Sequence, residues 1–367
     1  VLKMIKSAIV FSSIIFFILT GLAFIATGFI STKNVPTARL TSKDITETKI
    51  SDSNFVNLEF SLFNSTSVAG LSDSIDQLNG NFEKNYLLAV LDLRRFDYAA
   101  SFNRLFSLLP MLPEYYPFYD QIIFTAKASG TTKLLAKFIS NNKSINNFSD
   151  YLRALVHYNE NKYSDAIKLL ENKIEFEELY LLSYCYRGLG HYDNALKIMD
   201  NAERLLKSDD VKLSKVYVSK GSLYLLSGNS DEAEKFYKKG FKNAKLTGDT
   251  REEIKALINL AILDDQNGYV DEAKQKLESA LQLSRSVRNQ ELEATALSEL
   301  AVSYTYSGNL IKAKNYYEES LKIFMVLNHK ERLSNLCANI ASLYSQTANY
   351  NSAIEYYNNG LDFSGDN

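Results

Sequence analysis

Four alanines stand 40 residues apart, Ala233, Ala273, Ala313 and Ala353, and their surroundings repeat in step with them. Each follows a turn-like phrase: Gly228-Asn229-Ser230, Gly268-Tyr269-Val270, Gly308-Asn309-Leu310 and Ala348-Asn349-Tyr350. Twelve residues before each alanine comes a small residue, Gly221, Ala261, Ala301 or Ala341, and nine before comes Tyr224, Asp264, Tyr304 or Tyr344. After it, large residues at +4 (Tyr237, Leu277, Tyr317, Tyr357) and +8 (Phe241, Leu281, Leu321, Leu361) flank a small one at +7 (Gly240, Ala280, Ser320, Gly360). Small side chains let two helices approach closely, and the large ones fill the neighbouring groove. The period therefore predicts a helical hairpin in every 40 residues. One hairpin cannot bury its own apolar face, so the copies must stack into a solenoid held by nearest-neighbour interfaces. The prolines agree: there are four, ending at Pro117, which leaves 118–367 without the strongest helix breaker.

These residues resemble the tetratricopeptide repeat family in a 40-residue form. The pattern extends upstream with looser spacing, through Ala195 after Gly190-His191-Tyr192 and Ala166 after Asn161-Lys162-Tyr163, so that the six alanines are spaced 29, 38, 40, 40 and 40. Departures from the pattern are Asp264 where an aromatic is expected and Lys220 where a leucine is expected. The resemblance implies an all-α, right-handed solenoid of antiparallel hairpins over 151–363, with degenerate hairpins over 85–150. It also implies that the first helix of each hairpin lines a concave surface. Counting back 18, 14 and 11 from each alanine gives residues on one helical face. The sets are Lys215, Ser219 and Ser222; Lys255, Asn259 and Ile262; Thr295, Glu299 and Val302; and Asn335, Asn339 and Ser342. Asparagine both donates and accepts, so Asn259 and Asn339 suit the backbone of an extended peptide; the competing reading is that all of these are ordinary solvated side chains. Family members that clamp a peptide carboxylate use a fuller set of Lys, Arg and Asn than Lys215, Lys255 and Asn259 supply.

The other end of the chain reads differently. Ser7 to Ile30 carries no charged residue over 24 positions and follows Lys3 and Lys6, a short basic head over 1–6. As a helix it would extend roughly 36 Å, enough to cross a bilayer, which favours an uncleaved anchor over a cleaved signal with its shorter apolar region. Lysines and an arginine follow the segment as well as precede it, so charge alone leaves the orientation open. A short basic head before a long apolar run points to an amino end inside and the bulk of the chain outside the cytoplasm, in the periplasm if the source is a bacterium. Residues 31–84, rich in Ser, Thr, Asn and Asp, read as a linker, with a period-two run over Val56–Leu62 suggesting a short strand.

Several functions are disfavoured. Lys plus Arg number 41 and Asp plus Glu 43, for a formal charge of −2, which gives no footprint for nucleic acid. Cys185 and Cys337 are too few for a cysteine zinc site and lie four repeats apart, too far for a disulfide. The three histidines lack ligand spacing, and no phosphate-loop, dinucleotide or nucleophile-elbow motif is present, so no cofactor or metal is expected and a cryptic enzyme site would have to lie in 31–150. The leading expectation is a membrane-anchored, non-enzymatic scaffold that binds other proteins in an envelope assembly, such as outer-membrane assembly, secretion or pilus machinery, or a periplasmic flagellar collar. The alternative is a cytosol-facing receptor or adaptor for client peptides. Two contact surfaces are further candidates. One is the aromatic run Leu112–Tyr119, which either contacts a partner or packs between hairpins; the other is the carboxyl-terminal repeat, where Tyr357 and Leu361 suggest an exposed face open to a partner or self-association.

Overall fold

The computed structural model describes residues 71–364, apart from 79, 112–114, 142–146 and 208–209, together with Phe55, Glu59, Leu62 and Phe63. Among the described residues there is no strand, and the helices follow in the order α1 (Leu71–Asp76), α2 (Asn81–Arg94), α3 (Tyr98–Leu108), α4 (Tyr116–Ala128), α5 (Thr132–Asn141), α6 (Asn147–Asn159), α7 (Tyr163–Leu170), α8 (Phe176–Gly188), α9 (Tyr192–Arg204), α10 (Lys212–Leu226), α11 (Ser230–Thr247), α12 (Thr250–Gln266), α13 (Val270–Ser286), α14 (Gln290–Tyr306), α15 (Leu310–Val326), α16 (Lys330–Gln346) and α17 (Tyr350–Ser364). From α6 onward they pair into six hairpins, each stacked on the next.

The repeat pattern explains the pairing. Ala166, Ala195, Ala233, Ala273 and Ala313 are completely buried, and Ala353 nearly so. The small positions are small because nothing larger fits: a Cβ added to Gly221 would lie 2.5 Å from the Tyr237 ring, and one on Gly240 2.8 Å from Val218. The hairpin turns share one geometry. Gly190, Gly228, Gly268 and Gly308 are left-handed, and the amide that follows each donates back to residue Tyr186, Tyr224, Asp264 or Tyr304, closing the helix end. In the first and last hairpins the left-handed position falls to Asn161 and Ala348 instead. The side chains of Asn229, Asn309 and Asn349 then accept the amides of Glu232, Lys312 and Ser352 and start the second helix. The 29-residue spacing from Ala166 to Ala195 has a local cause: α7 is only 8 residues long, against 17 or 18 for α11, α13 and α15.

Both departures from the pattern are compensated. At the position nine before the alanine and its partner three after it, Tyr224 stacks on Phe236, Tyr304 on Tyr316 and Tyr344 on Tyr356, with ring centroids 5.3, 5.5 and 5.5 Å apart. In the remaining hairpin the same place holds Asp264 and Lys276, ion-paired at 2.5 Å. Lys220, only 6% exposed, reaches Asp200 at 2.6 Å and Glu203 at 2.7 Å on the preceding hairpin.

Ahead of the repeats, α2 to α5 form a block built on aromatic rings. Phe55, Tyr86 and Tyr115 meet at centroid distances of 5.3–5.8 Å, and Phe82 and Tyr119 flank the buried Phe118 at 5.7 and 5.2 Å. Here the linker expected over 31–84 is corrected in part. Of the run expected as a strand, the described residues Glu59 and Leu62 are helical, and with Phe55 they take the spacing i, i+4, i+7, which puts three buried side chains on one face. Glu59 accepts hydrogen bonds from Tyr86 and Tyr115, and this burial raises its carboxyl above the usual range. Of the aromatic run 112–119, the described Tyr115, Phe118 and Tyr119 pack in this core, and Tyr116 meets Tyr151 of α6 at 4.7 Å.

The predicted anchor 7–30 lies outside the described residues. Among the described residues no helix is long and apolar enough to cross a membrane.

Candidate functional site: the inner wall of the solenoid

The amino-terminal block does not stand apart from the repeats. Leu93, Tyr98, Phe124 and Ala128 pack against the apolar core of α12 to α17, the Tyr98 hydroxyl donates to Gln290 at 2.7 Å, and Asn328 Nδ2 donates to the Lys127 carbonyl at 3.3 Å. A cavity of about 360 Å³ is bounded by Lys127 and Thr132 of the block, Asn159 and Asn161 of the α6–α7 turn, and His329 and Glu331 at the start of α16. The block therefore joins the late hairpins to the first one, where Tyr116, Tyr119 and Asp120 meet Tyr151 of α6.

The residues expected on the concave face fall into two groups. Those on α10 and α12 are engaged. Lys215 lies 3.9 Å over the Tyr180 ring, and Ser219, only 6% exposed, meets the Tyr180 hydroxyl at 2.9 Å and that of Tyr184 at 3.5 Å. Lys255 pairs with Glu252 at 2.6 Å, and Asn259 Nδ2 donates to the Lys255 carbonyl at 2.9 Å, leaving its own carbonyl oxygen without a partner among the described residues. Arg187 completes this aromatic and cationic wall, 4.1 Å over the Tyr184 ring. The count from the four evenly spaced alanines did not reach α8: carried back to Ala195 it meets Tyr184, eleven before it, while Tyr180 and Arg187 fall outside the counted positions.

Those on α14 and α16 are open. Asn335 and Asn339 are exposed, and neither side chain has a hydrogen bond among the described residues. Glu299 is half-buried and forms no ion pair among the described residues. Burial pushes its carboxyl up to about 7, the charge of Asp265 adds to this and Arg332 opposes it. Asp265 accepts from Ser303 through one oxygen, while its other oxygen, Oδ1, is buried without a partner.

Three stretches of the chain match family models described as tetratricopeptide repeat: 214–245, 252–325 and 292–364. This part of the chain carries tetratricopeptide repeats. The chain is similar in structure to the anaphase-promoting complex hetero-tetramer Cut9-Hcn1, at TM-score 0.55 and 16% identity, covering 86% of this chain and 61% of that one. It is also similar to a Rap protein complexed with competence and sporulation factor, at TM-score 0.54 and 12% identity over 85% of each chain. A third similar structure is a signal-transduction ATPase with a tetratricopeptide repeat sensor from Pyrococcus horikoshii, at TM-score 0.50 and 17% identity, covering 78% of this chain and 44% of that one. At these identities the likeness is one of fold. No curated protein matches the sequence.

Within the repeats, both thiols are buried, and burial pushes Cys185 up to about 12 and Cys337 up to about 11, which keeps them protonated. Among the described residues no three His, Cys, Asp or Glu side chains are grouped to hold a metal. The carboxyl-terminal face is exposed as expected: Tyr357 is 45% and Leu361 66% exposed, where Tyr317, one repeat earlier, is 3%.

Proposed function

We propose that this chain is a non-enzymatic scaffold that captures another protein in the inner wall of its repeat solenoid, held beside a bacterial envelope membrane by the apolar segment 7–30 with its bulk in the periplasm. The observation that carries the binding reading is the contrast on that wall. Lys215, Ser219 and Lys255 on α10 and α12 are engaged by Tyr180, Tyr184 and Glu252, whereas Glu299, Asn335 and Asn339 on α14 and α16, with the carbonyl oxygen of Asn259, present hydrogen-bonding groups that the described residues leave unused. Tightly packed helices hold these groups in fixed places, and a rigid polar surface recognises a partner without paying for its own ordering. The membrane reading is supported by the 24 uncharged residues from Ser7 to Ile30.

A photo-crosslinking residue at Asn335 in the native membrane captures a specific partner, and Asn259→Ala with Asn339→Ala weakens that capture while circular dichroism stays unchanged. Unaltered capture by the double variant removes the inner wall as the binding surface. In spheroplasts, external protease digests a periplasmic solenoid; protection would place it in the cytosol, as a receptor or adaptor.

A further inference from the structure

One row of the inner wall carries a charge pattern that narrows the kind of partner. Fourteen residues before each repeat alanine stand Ser219, Asn259, Glu299 and Asn339, on the successive first helices α10, α12, α14 and α16. Glu299 is the one ionisable member, and a carboxamide stands on the neighbouring helix on either side. On the earlier repeats Lys255 pairs with Glu252, Lys276 with Asp264 and Lys212 with Glu177, while Lys215 lies over the Tyr180 ring. Glu299 has no such match. Arg332 on α16 feels its charge but forms no ion pair among the described residues, and Asp265 adds a second acid with one buried oxygen unpartnered. A half-buried carboxylate without a counter-charge is partly desolvated, and a ligand that supplies the charge offsets that cost.

We propose that the groove takes an extended peptide segment that sets a lysine or arginine side chain against Glu299 while its main chain spans Asn259 and Asn339. This rests on the protein-binding reading above and names what that wall selects. The spacing suits it. Neighbouring first helices touch along the row, at an interaxial distance of about 8–10 Å. An extended chain rises about 3.3 Å per residue, so each step along the row matches about three residues. A cationic side chain at the middle of a segment of about six residues meets Glu299 as its backbone reaches both carboxamides. The free carbonyl oxygen of Asn259 and the whole carboxamide of Asn339 are then available to backbone amides and carbonyls.

The test uses the full chain in detergent micelles and two pools of immobilised nonamer peptides, degenerate except for a central Lys in one and a central Glu in the other. The expected result is at least tenfold greater retention on the Lys pool. Glu299→Gln brings the ratio close to one, Glu299→Lys reverses it, and Asn259→Ala with Asn339→Ala lowers retention on both pools alike. Equal retention of both pools by the wild-type chain, or a preference that survives Glu299→Gln, overturns the role of Glu299 and leaves the groove as a binding surface. No retention of either pool by the wild-type chain overturns the groove reading as well.

Discussion

The repeats from α10 to α17 and the block from α2 to α5 are both helical, but they solve the packing problem in opposite ways. The repeats bring backbones together by keeping side chains small where helices cross, at Gly221, Gly240, Ala261, Ala273, Ala301 and Ala313. The block fills the space between its helices with rings, Phe55, Phe82, Tyr86, Phe118 and Tyr119, around the buried acid Glu59. The first solution is local and repeats identically, so its energy is a sum of neighbour terms. The second depends on contacts between residues far apart in sequence, as when Glu59 joins Tyr86 and Tyr115. The lesson is that regular spacing marks where close approach sets the fold, and irregular spacing marks where side-chain volume does.

The sharpest way to separate the two is to remove volume from one and add it to the other. Phe118→Ala empties a fully buried site in the ring cluster and is expected to cost about 3–5 kcal/mol. The block meets the late hairpins through Leu93, Tyr98, Phe124 and Ala128 and the first through Tyr116, Tyr119 and Asp120 against Tyr151, but the lost volume lies within the ring cluster, so denaturant unfolding followed at both regions should split into two transitions, the later belonging to the repeats. A single cooperative transition shifted as a whole would mean that block and solenoid fold as one unit. Ala273→Leu or Ala313→Leu places a large side chain where two helices touch and is expected to cost about 1–3 kcal/mol. Thermal unfolding unchanged by either would mean that the alanines do not mark the crossing.

The same contrast explains what the sequence disclosed. The hairpins from α8 onward were legible because each buried alanine is tied to a turn and to large residues at fixed distances, a signal that survives when any one position varies. In the Val56–Leu62 run the period-two alternation did not foretell the helical state of its described residues, Glu59 and Leu62. Phe55, Glu59 and Leu62 are chosen by the ring cluster they enter, and Glu59 is polar only because two tyrosine hydroxyls await it. The joining of the block to the late hairpins by Tyr98 and Phe124 could not be read at all, since nothing in their local pattern names Gln290 or Leu327 as neighbours. On the candidate face, counting from the alanines selected Glu299, Asn335 and Asn339, but it could not say that Ser219 and Lys255 are already engaged, which depends on Tyr180, Tyr184 and Glu252.

The smaller predictions test the turns and the compensated pair. Ala348 holds a left-handed conformation, φ 56°, at the place where the four preceding turns have glycine. That conformation costs a residue with a Cβ about 1–2 kcal/mol, partly offset by the greater freedom glycine has in the unfolded chain. Ala348→Gly should therefore stabilise the last hairpin by about 0.5–1 kcal/mol, read as a higher denaturant midpoint with an unchanged slope.

The Asp264–Lys276 pair tests whether a repeat position stores a residue type or an interaction. Both side chains are partly exposed, so the ion pair contributes at most about 1 kcal/mol, and a stacked ring pair such as Tyr304 with Tyr316 contributes about 0.5–1.5 kcal/mol beyond its buried area. Lys276→Tyr alone strands Asp264 beside an aromatic ring and should cost about 1 kcal/mol. Adding Asp264→Tyr rebuilds the stack seen in the flanking repeats and should recover that loss, giving a coupling of about 0.5–1 kcal/mol in a double-mutant cycle. If the two changes are additive, the positions are independent and Asp264 is a tolerated departure. If they couple, the repeat conserves a contact across the hairpin and is indifferent to whether rings or charges make it.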